Sequence, residues 1–183
     1  MSISPYIKIA REAIQSHFNM HTIDKHSILE QYPQMSMKKA TFVTLTLNGQ
    51  LRGCIGSLIA HRPLIDDLIS NAQSAAFHDP RFSPLTLQEF NHTHIEVSLL
   101  SEPKQILYTD ETDLQSKINV NEDGVILQLG NNYQATFLPQ VWEELNDFES
   151  FFAHLGMKAG IGSSPLVYHP EIFTYQVEKI KEQ

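Results

Sequence analysis

The sequence predicts an α+β fold in a single domain. Three observations carry that reading. Apolar residues switch along the chain between helical spacing and strict alternation. Two segments read as a β-hairpin followed by a helix. A length of 183 residues with 42% hydrophobic side chains suits one ordinary domain, or two very small ones, with a real core.

The first element is a helix. Ser4 suits an N-cap, Pro5 suits the first turn, and Ile7, Ala10, Ile14 and Phe18 share one face. The stretch from Asn19 to Lys39 is irregular, with room for a short helix around Ile28 and Tyr32. From Thr41 the period becomes two, with Val43, Leu45 and Leu47 alternating with Thr44 and Thr46. Asn48-Gly49 then signals a type I′ hairpin, and the return strand runs from Gln50 to Leu58. Arg62-Pro63 opens a helix that buries Leu64, Leu68, Ile69, Ala72 and Ala76 and stops near His78, before Asp79-Pro80. Thr86-Leu-Gln-Glu89 is a capping-box pattern. Ile95, Val97 and Leu99 alternate with His94, Glu96 and Ser98 in a further strand. Glu111 to Ile118 reads as a short helix, and Asn121 to Gly124 as a turn. A second hairpin spans Val125 to Leu138, turning at Gly130-Asn131-Asn132. A helical segment begins near Pro139 and takes in Val141, Leu145, Phe148, Phe151, Phe152 and Leu155. A last strand is expected at Phe173 to Val177.

The two hairpins align at an offset of 82 residues, with Leu45 on Leu127, Leu47 on Leu129, Leu51 on Tyr133, Gly53 on Ala135 and Ile55 on Phe137. This suggests an internal duplication. In that alignment Arg52 and Cys54 correspond to Gln134 and Thr136, so the first unit carries the reactive version.

Charge and cysteine use narrow the function classes. Thirteen Lys and Arg against twenty-one Asp and Glu leave a formal charge of −8, a poor bulk match for a nucleic-acid backbone. Cys54 is the one cysteine, so no internal disulfide forms. The N-terminal residues lack a basic stretch followed by an apolar one, and no apolar run approaches the ~20 residues needed to span a bilayer. A reducing cytoplasm is the expected location. The acidic clusters Asp110-Glu111-Asp113 and Glu143-Glu144-Asp147-Glu149 read as solvated faces or as contacts for a basic partner.

The segment Leu51-Arg-Gly-Cys-Ile-Gly-Ser57 is the sharpest chemical signal. On a strand Arg52 and Cys54 share a face, where a guanidinium favours the thiolate. Gly53 and Gly56 mark a bulge or a close backbone approach, and bulged N–H groups can receive an anion. The alternative is that Cys54 is a small buried apolar residue. The helix after the hairpin carries the chain back along it, so the loop Asp79 to Arg81 is expected to fold over the end of the hairpin and bring Arg81 or Asp79 near Arg52.

The hexapeptide Leu51-Arg-Gly-Cys-Ile-Gly56 resembles the signature of the AMME chromosomal region candidate (AMMECR) family. Asp79-Pro-Arg-Phe82, Pro84-Leu-Thr86, Ile95-Glu-Val-Ser98, Asp123-Gly124, Phe137-Leu-Pro-Gln-Val141 and Lys158-Ala-Gly160 resemble the family's other blocks in order. The likeness runs from about residue 5 to 178 of a domain spanning 1–183. It implies one compact α+β structure with a large, curved mixed sheet, flanking helices and a structural duplication. It also implies partnership with a Memo-type protein and a radical SAM protein, as in the AmmeMemoRadiSam system. No reaction follows from it, although the hexapeptide is a suspected active site. Gly156 stands where the family block Leu-Cys-x-Lys-Ala-Gly has a cysteine, which argues against a two-cysteine mechanism.

Three function classes follow. In the first, the protein is an enzyme or its substrate-binding subunit. Cys54 is nucleophile or thiol ligand, Arg52 its electrostatic activator and Glu96 a general base. Gly53, Gly56, Asp79 and Arg81 shape the substrate site. The second is a non-catalytic interaction module, and the third a nucleic-acid-associated regulator. His92, His94 and Glu96 share a strand face but read better as its polar side than as a metal site, so no metal and no cofactor are expected.

Overall fold

The hairpin signals become the organising strands of two sheets. The structure, a computed structural model, describes residues 2–183. Contacts divide the chain into two compact units, one running to Leu100 and including Glu178–Gln183, the other Ser101–Val177.

In the first unit, α1 (Pro5–Asn19) buries Ile7, Ile9, Ala10, Ala13 and Ile14. Ser4 occupies its N-cap without a side-chain hydrogen bond. Next come α2 (Lys25–Gln31) and a 3-10 turn at Pro33–Ser36. Strands β1 (Ala40–Leu47) and β2 (Gln50–Gly56) are joined at Asn48 and Gly49, with φ of 54° and 75°, as a type I′ turn requires. Helix α3 (Leu64–Phe77), the single turn α4 (Leu87–Phe90) with its full capping box, and β3 (Thr93–Leu100) follow. Strand β8 (Val177–Lys181) completes a sheet of order β2-β1-β3-β8. Val43, Leu45, Ile95 and Val97 pack with α1 and α3 residues in one core.

The second unit contains β4 (Lys104–Ile106), α5 (Glu111–Lys117), β5 (Gly124–Leu129), β6 (Tyr133–Phe137), α6 (Phe148–Ala159) and β7 (Glu171–Tyr175). Its sheet order is β4-β7-β5-β6. Trp142 stacks on Phe151 with ring centroids 3.6 Å apart and donates through Nε1 to the Asp123 carbonyl at 2.8 Å.

The α+β class stands, with the strands divided between two four-stranded sheets instead of one curved mixed sheet. The pairings of β1 with β2 and β3, of β7 with β4 and β5, and of β5 with β6 are antiparallel. Connections of two or three residues within each hairpin permit no other direction. The helical segment expected from Pro139 is broken. Pro139–Glu143 is a 3-10 turn, and α6 restarts where Asp147 accepts from the Ser150 N–H at 2.8 Å. The last strand lies two residues earlier than expected, and β8 follows it. Strand β4 has only three residues and β8 is charged at three of its five positions, so neither shows the apolar alternation that marks a strand.

The duplication is visible in register. Val43↔Ile55, Thr44↔Cys54 and Leu45↔Gly53 in the first hairpin match Val125↔Phe137, Ile126↔Thr136 and Leu127↔Ala135 in the second. Past that point they diverge. The first hairpin has a two-residue turn and one extra residue in β2, and the second a three-residue turn and no bulge. The connectivity is also reciprocal. Strand β3 leads to β4, which joins the second sheet, and β7 leads to β8, which joins the first.

Two features lock the β1–β2 hairpin onto α3. A Cβ at Gly53 would overlap the Ala75 carbonyl oxygen, so only glycine lets strand and helix approach this closely. The fully buried Asp67 carboxylate accepts from the Thr41 N–H (2.8 Å) and hydroxyl (2.7 Å), Asn71 Nδ2 (3.0 Å), the Ser57 hydroxyl (2.7 Å) and Arg62 Nε (2.7 Å). Gly53→Ala is expected to lower stability by about 2–3 kcal/mol through overpacking, and Asp67→Ala by about 3–5 kcal/mol by leaving buried donors unpaired. Urea unfolding checks both, and a loss under about 0.5 kcal/mol, typical of a surface change, would contradict the tight packing.

Candidate functional site

The site begins with a one-residue irregularity. Opposite Leu45 and Thr46, β2 supplies Gly53 and Leu51, which leaves Arg52 as the extra residue of a β-bulge. An unbulged strand continuing the Leu47↔Gln50 and Thr46↔Leu51 pairs would set Cys54 opposite Val43, on the core face. The bulge moves it opposite Thr44. Cys54 is half-buried there, with Sγ 3.2 Å from the Thr44 hydroxyl oxygen.

Strand β2 is an edge of its sheet, so the Cys54 peptide groups point away from β1. The loop after α3 receives them. Asp79, with a side chain 1% exposed, accepts from the Cys54 N–H at 3.0 Å. Arg81 Nη2 donates to the Cys54 carbonyl at 3.4 Å and to Asp79 at 2.8 Å, and Arg81 Nε donates to Asp79 at 3.0 Å. The pair therefore closes the strand edge as a neighbouring strand would. The anion expected at bulged N–H groups is the protein's own carboxylate. Hydrogen bonds from Arg81, and then from the Cys54 and Arg81 N–H groups, hold Asp79 well below the usual carboxylate range against the opposing effect of burial. Asp79 in turn raises Arg81.

Arg52 is held by other partners. Its Nε and Nη2 donate to Glu89 at 3.1 and 3.0 Å, and Nη2 also reaches the Ser83 carbonyl at 2.8 Å. Glu89 is lowered chiefly by those Arg52 hydrogen bonds while it also accepts from the Thr86 N–H at 2.9 Å. The guanidinium carbons of Arg52 and Arg81 lie 5.7 and 5.5 Å from the centre of the Phe82 ring, within cation–π range. Arg52 thus fixes the bulge against the 82–89 segment, and Arg81 is the arginine that touches Cys54.

Glu96 lies opposite Thr44 on β3, so Cys54, Thr44 and Glu96 form one row across three strands. Two strand spacings, about 9.5 Å, separate the outer two. That exceeds the reach of a base taking the thiol proton directly. Lys181 Nζ stands 3.6 Å from the Glu96 carboxylate. Gly56 lies under the Phe42 ring, where a Cβ would overlap it. Gly53 faces Ala75, so both glycines of the hexapeptide serve packing. At Gly156 a Cβ would overlap the Gly162 carbonyl oxygen and lie 2.7 Å from Pro165 Cγ, so this chain fills with backbone and proline the place a cysteine would need. Among the described residues no group of three His, Cys, Asp or Glu side chains is close enough to hold a metal ion, and no helix is long and apolar enough to cross a membrane.

Sequence reasoning missed Thr44, Glu89, Phe82 and Lys181 as members of this cluster. Glu89 was visible as a helix cap, but a second role as the Arg52 counter-ion leaves no local signal. Thr44 follows only once the bulge is placed.

A sheet-edge cysteine clamped by an Asp–Arg pair, in a chain built from two related hairpin-helix units, defines the class of protein. The family model AMMECR1 matches residues 7–180, and the chain belongs to the AMMECR1 family. It is 40% identical over 162 residues to a protein of Sulfolobus acidocaldarius, covering 85% of this chain and 70% of that one. A protein of Methanocaldococcus jannaschii is 37% identical over 159 residues, covering 85% of this chain and 77% of that one. The fold matches the crystal structure of the uncharacterized protein PH0010 from Pyrococcus horikoshii with a TM-score of 0.80 and 31% identity, over 97% of this chain and 90% of that one.

The depressed Asp79 group sets a pH signature. Its stabilisation is complete above the unfolded-chain value of about 3.9 and is lost as pH falls through the lower folded-state value. Asp79→Asn is expected to be less stable at pH 7 and to show a shallower loss of stability below about pH 4. Urea midpoints measured from neutral pH to strong acid check this, and an unchanged acid limb would contradict it.

Proposed function

We propose that this protein is a thiol-dependent enzyme, or the substrate-binding subunit of one, that acts through Cys54. The observation that carries the reading is the clamp on Cys54. A buried carboxylate and its arginine are committed to the peptide groups of one residue, whose thiol stands on the polar row of the sheet instead of in the core. Packing a small apolar residue needs no such arrangement. Cys54 is the nucleophile or thiol ligand, and the Thr44 hydroxyl orients its sulfur. Arg81, 55% exposed, offers its remaining N–H groups to an anionic part of the substrate. Arg52 positions the bulge, and Asp79 positions Cys54 and Arg81. Glu96 is the base for a substrate proton, at a distance from the thiol. By family resemblance the working partners are a Memo-type protein and a radical SAM protein, in the cytoplasm.

The test has two arms. Iodoacetamide should alkylate Cys54 in the native fold, and Cys54→Ser should abolish the function of the protein in cells that need it while leaving its melting temperature within a few degrees. A thiol labelled only after unfolding, together with a fully functional Cys54→Ser variant, would make Cys54 a packing residue and leave a non-catalytic interaction module as the reading.

A further inference from the structure

The formal charge is divided unequally between the two units. Unit Ser101–Val177 carries eleven carboxylates against three lysines, a net −8, and the remainder of the chain carries ten of each sign and is neutral. The whole excess therefore resides in the unit that lacks Cys54.

That unit also holds a cavity of about 170 Å³, lined by Glu111, Glu149, Phe152, Pro165, Leu166 and Val167 among others. At about 30 Å³ per water molecule it has room for one long side chain. Phe152 and Pro165 are buried wall. Val167 and Tyr168, at and beside the cavity, are 76% and 57% exposed. Neither Glu111 nor Glu149 has a cation within salt-bridge distance among the described residues, although Asp113 nearby is paired with Lys117 at 3.0 Å. Their places in the first turns of α5 and α6 account for carboxylates there. They do not account for two of them lining one cavity whose other wall is Phe152, Pro165, Leu166 and Val167.

We infer that this cavity is the seat for an arginine side chain of a basic segment on a partner protein. An arginine has an apolar stem that fits the Phe152, Leu166 and Val167 wall and a planar guanidinium that hydrogen-bonds carboxylates in pairs. Val167 and Tyr168 receive the residues flanking it. The net −8 of the surrounding unit steers the cationic segment in and repels nucleic acid. This surface is independent of the thiol chemistry proposed for Cys54, and it stands or falls separately.

The experiment uses the full chain and the peptide acetyl-Gly-Arg-Gly-Arg-Gly-amide, followed by two-dimensional NMR, with the citrulline peptide as neutral counterpart. Saturable shifts are expected at Phe152, Ala153 and Ser163 to Val167, and none with citrulline. The Glu111→Gln/Glu149→Gln variant should weaken binding at least about tenfold, equivalent to about 1.4 kcal/mol. The Glu143→Gln/Glu144→Gln variant removes the same charge from equally exposed positions that do not line the cavity and should weaken it less than about twofold, the scale of a screened surface charge. Equal weakening by both pairs, equal binding of the citrulline peptide, or shifts spread over all acidic residues would overturn the inference.

Discussion

The bulge at Arg52 decides what the rest of the first sheet can do. A strand has a side-chain period of two, so a shift of one residue exchanges its faces. Without the extra residue, Cys54 would point into the core with Val43. With it, Cys54 joins Thr44 and Glu96 on the other face, and Gly53 is the residue that meets α3. The second hairpin has the same register through three pairs without a bulge, and sets Ile126, Thr136 and Phe173 in the corresponding row. The duplication thus supplies two copies of one scaffold that reach the same register by different routes, the first with a two-residue turn and a bulge, the second with a three-residue turn, and the first carries Cys54 where the second has Thr136.

A bulge on an edge strand leaves peptide groups without partners, and the surrounding residues meet those of Cys54 and hold the side chains on either side of it. Asp79 and Arg81 take those of Cys54, Glu89 and the Ser83 carbonyl hold the Arg52 side chain, and Asp67 holds Ser57 just beyond the strand. These groups come from three separate stretches of chain. Asp67, Asp79, Arg81 and Glu89 are charged, and each is fixed by a further hydrogen bond of its own. The hexapeptide is therefore held in place along most of its length before any ligand arrives. Such pre-organisation is what a site that orients a reacting atom requires.

Much of this was legible in the sequence, for local reasons. The apolar period placed α1, β1, α3 and β3, Asn48-Gly49 fixed the first turn, and the length of α3 returned the Asp79 to Arg81 loop to the first hairpin. The parts that were not legible depend on distant pairing. Strand β8 is recognisable only beside β3, and Asp67 and Asn71 look like ordinary polar helix positions until Thr41 and Ser57 are brought against them. Arg52 looked like an activator of the thiol because i and i+2 share a face on a regular strand. The bulge and Glu89 give it a holding role, and Arg81, from the loop, is the arginine that reaches Cys54.

The position of Cys54 depends on the hydrogen bond from its N–H to the Asp79 carboxylate. Native-state hydrogen exchange at that one amide tests it most directly, because an edge-strand N–H pointing away from its neighbour exchanges rapidly unless something accepts from it. The expected result is that the Cys54 amide exchanges as slowly as the β1 ladder amides in the native protein and much faster in Asp79→Ala. Rapid exchange in the native protein, or slow exchange that survives loss of the Asp79 carboxylate, would contradict the clamp and with it the case for Cys54 as a positioned reactive group.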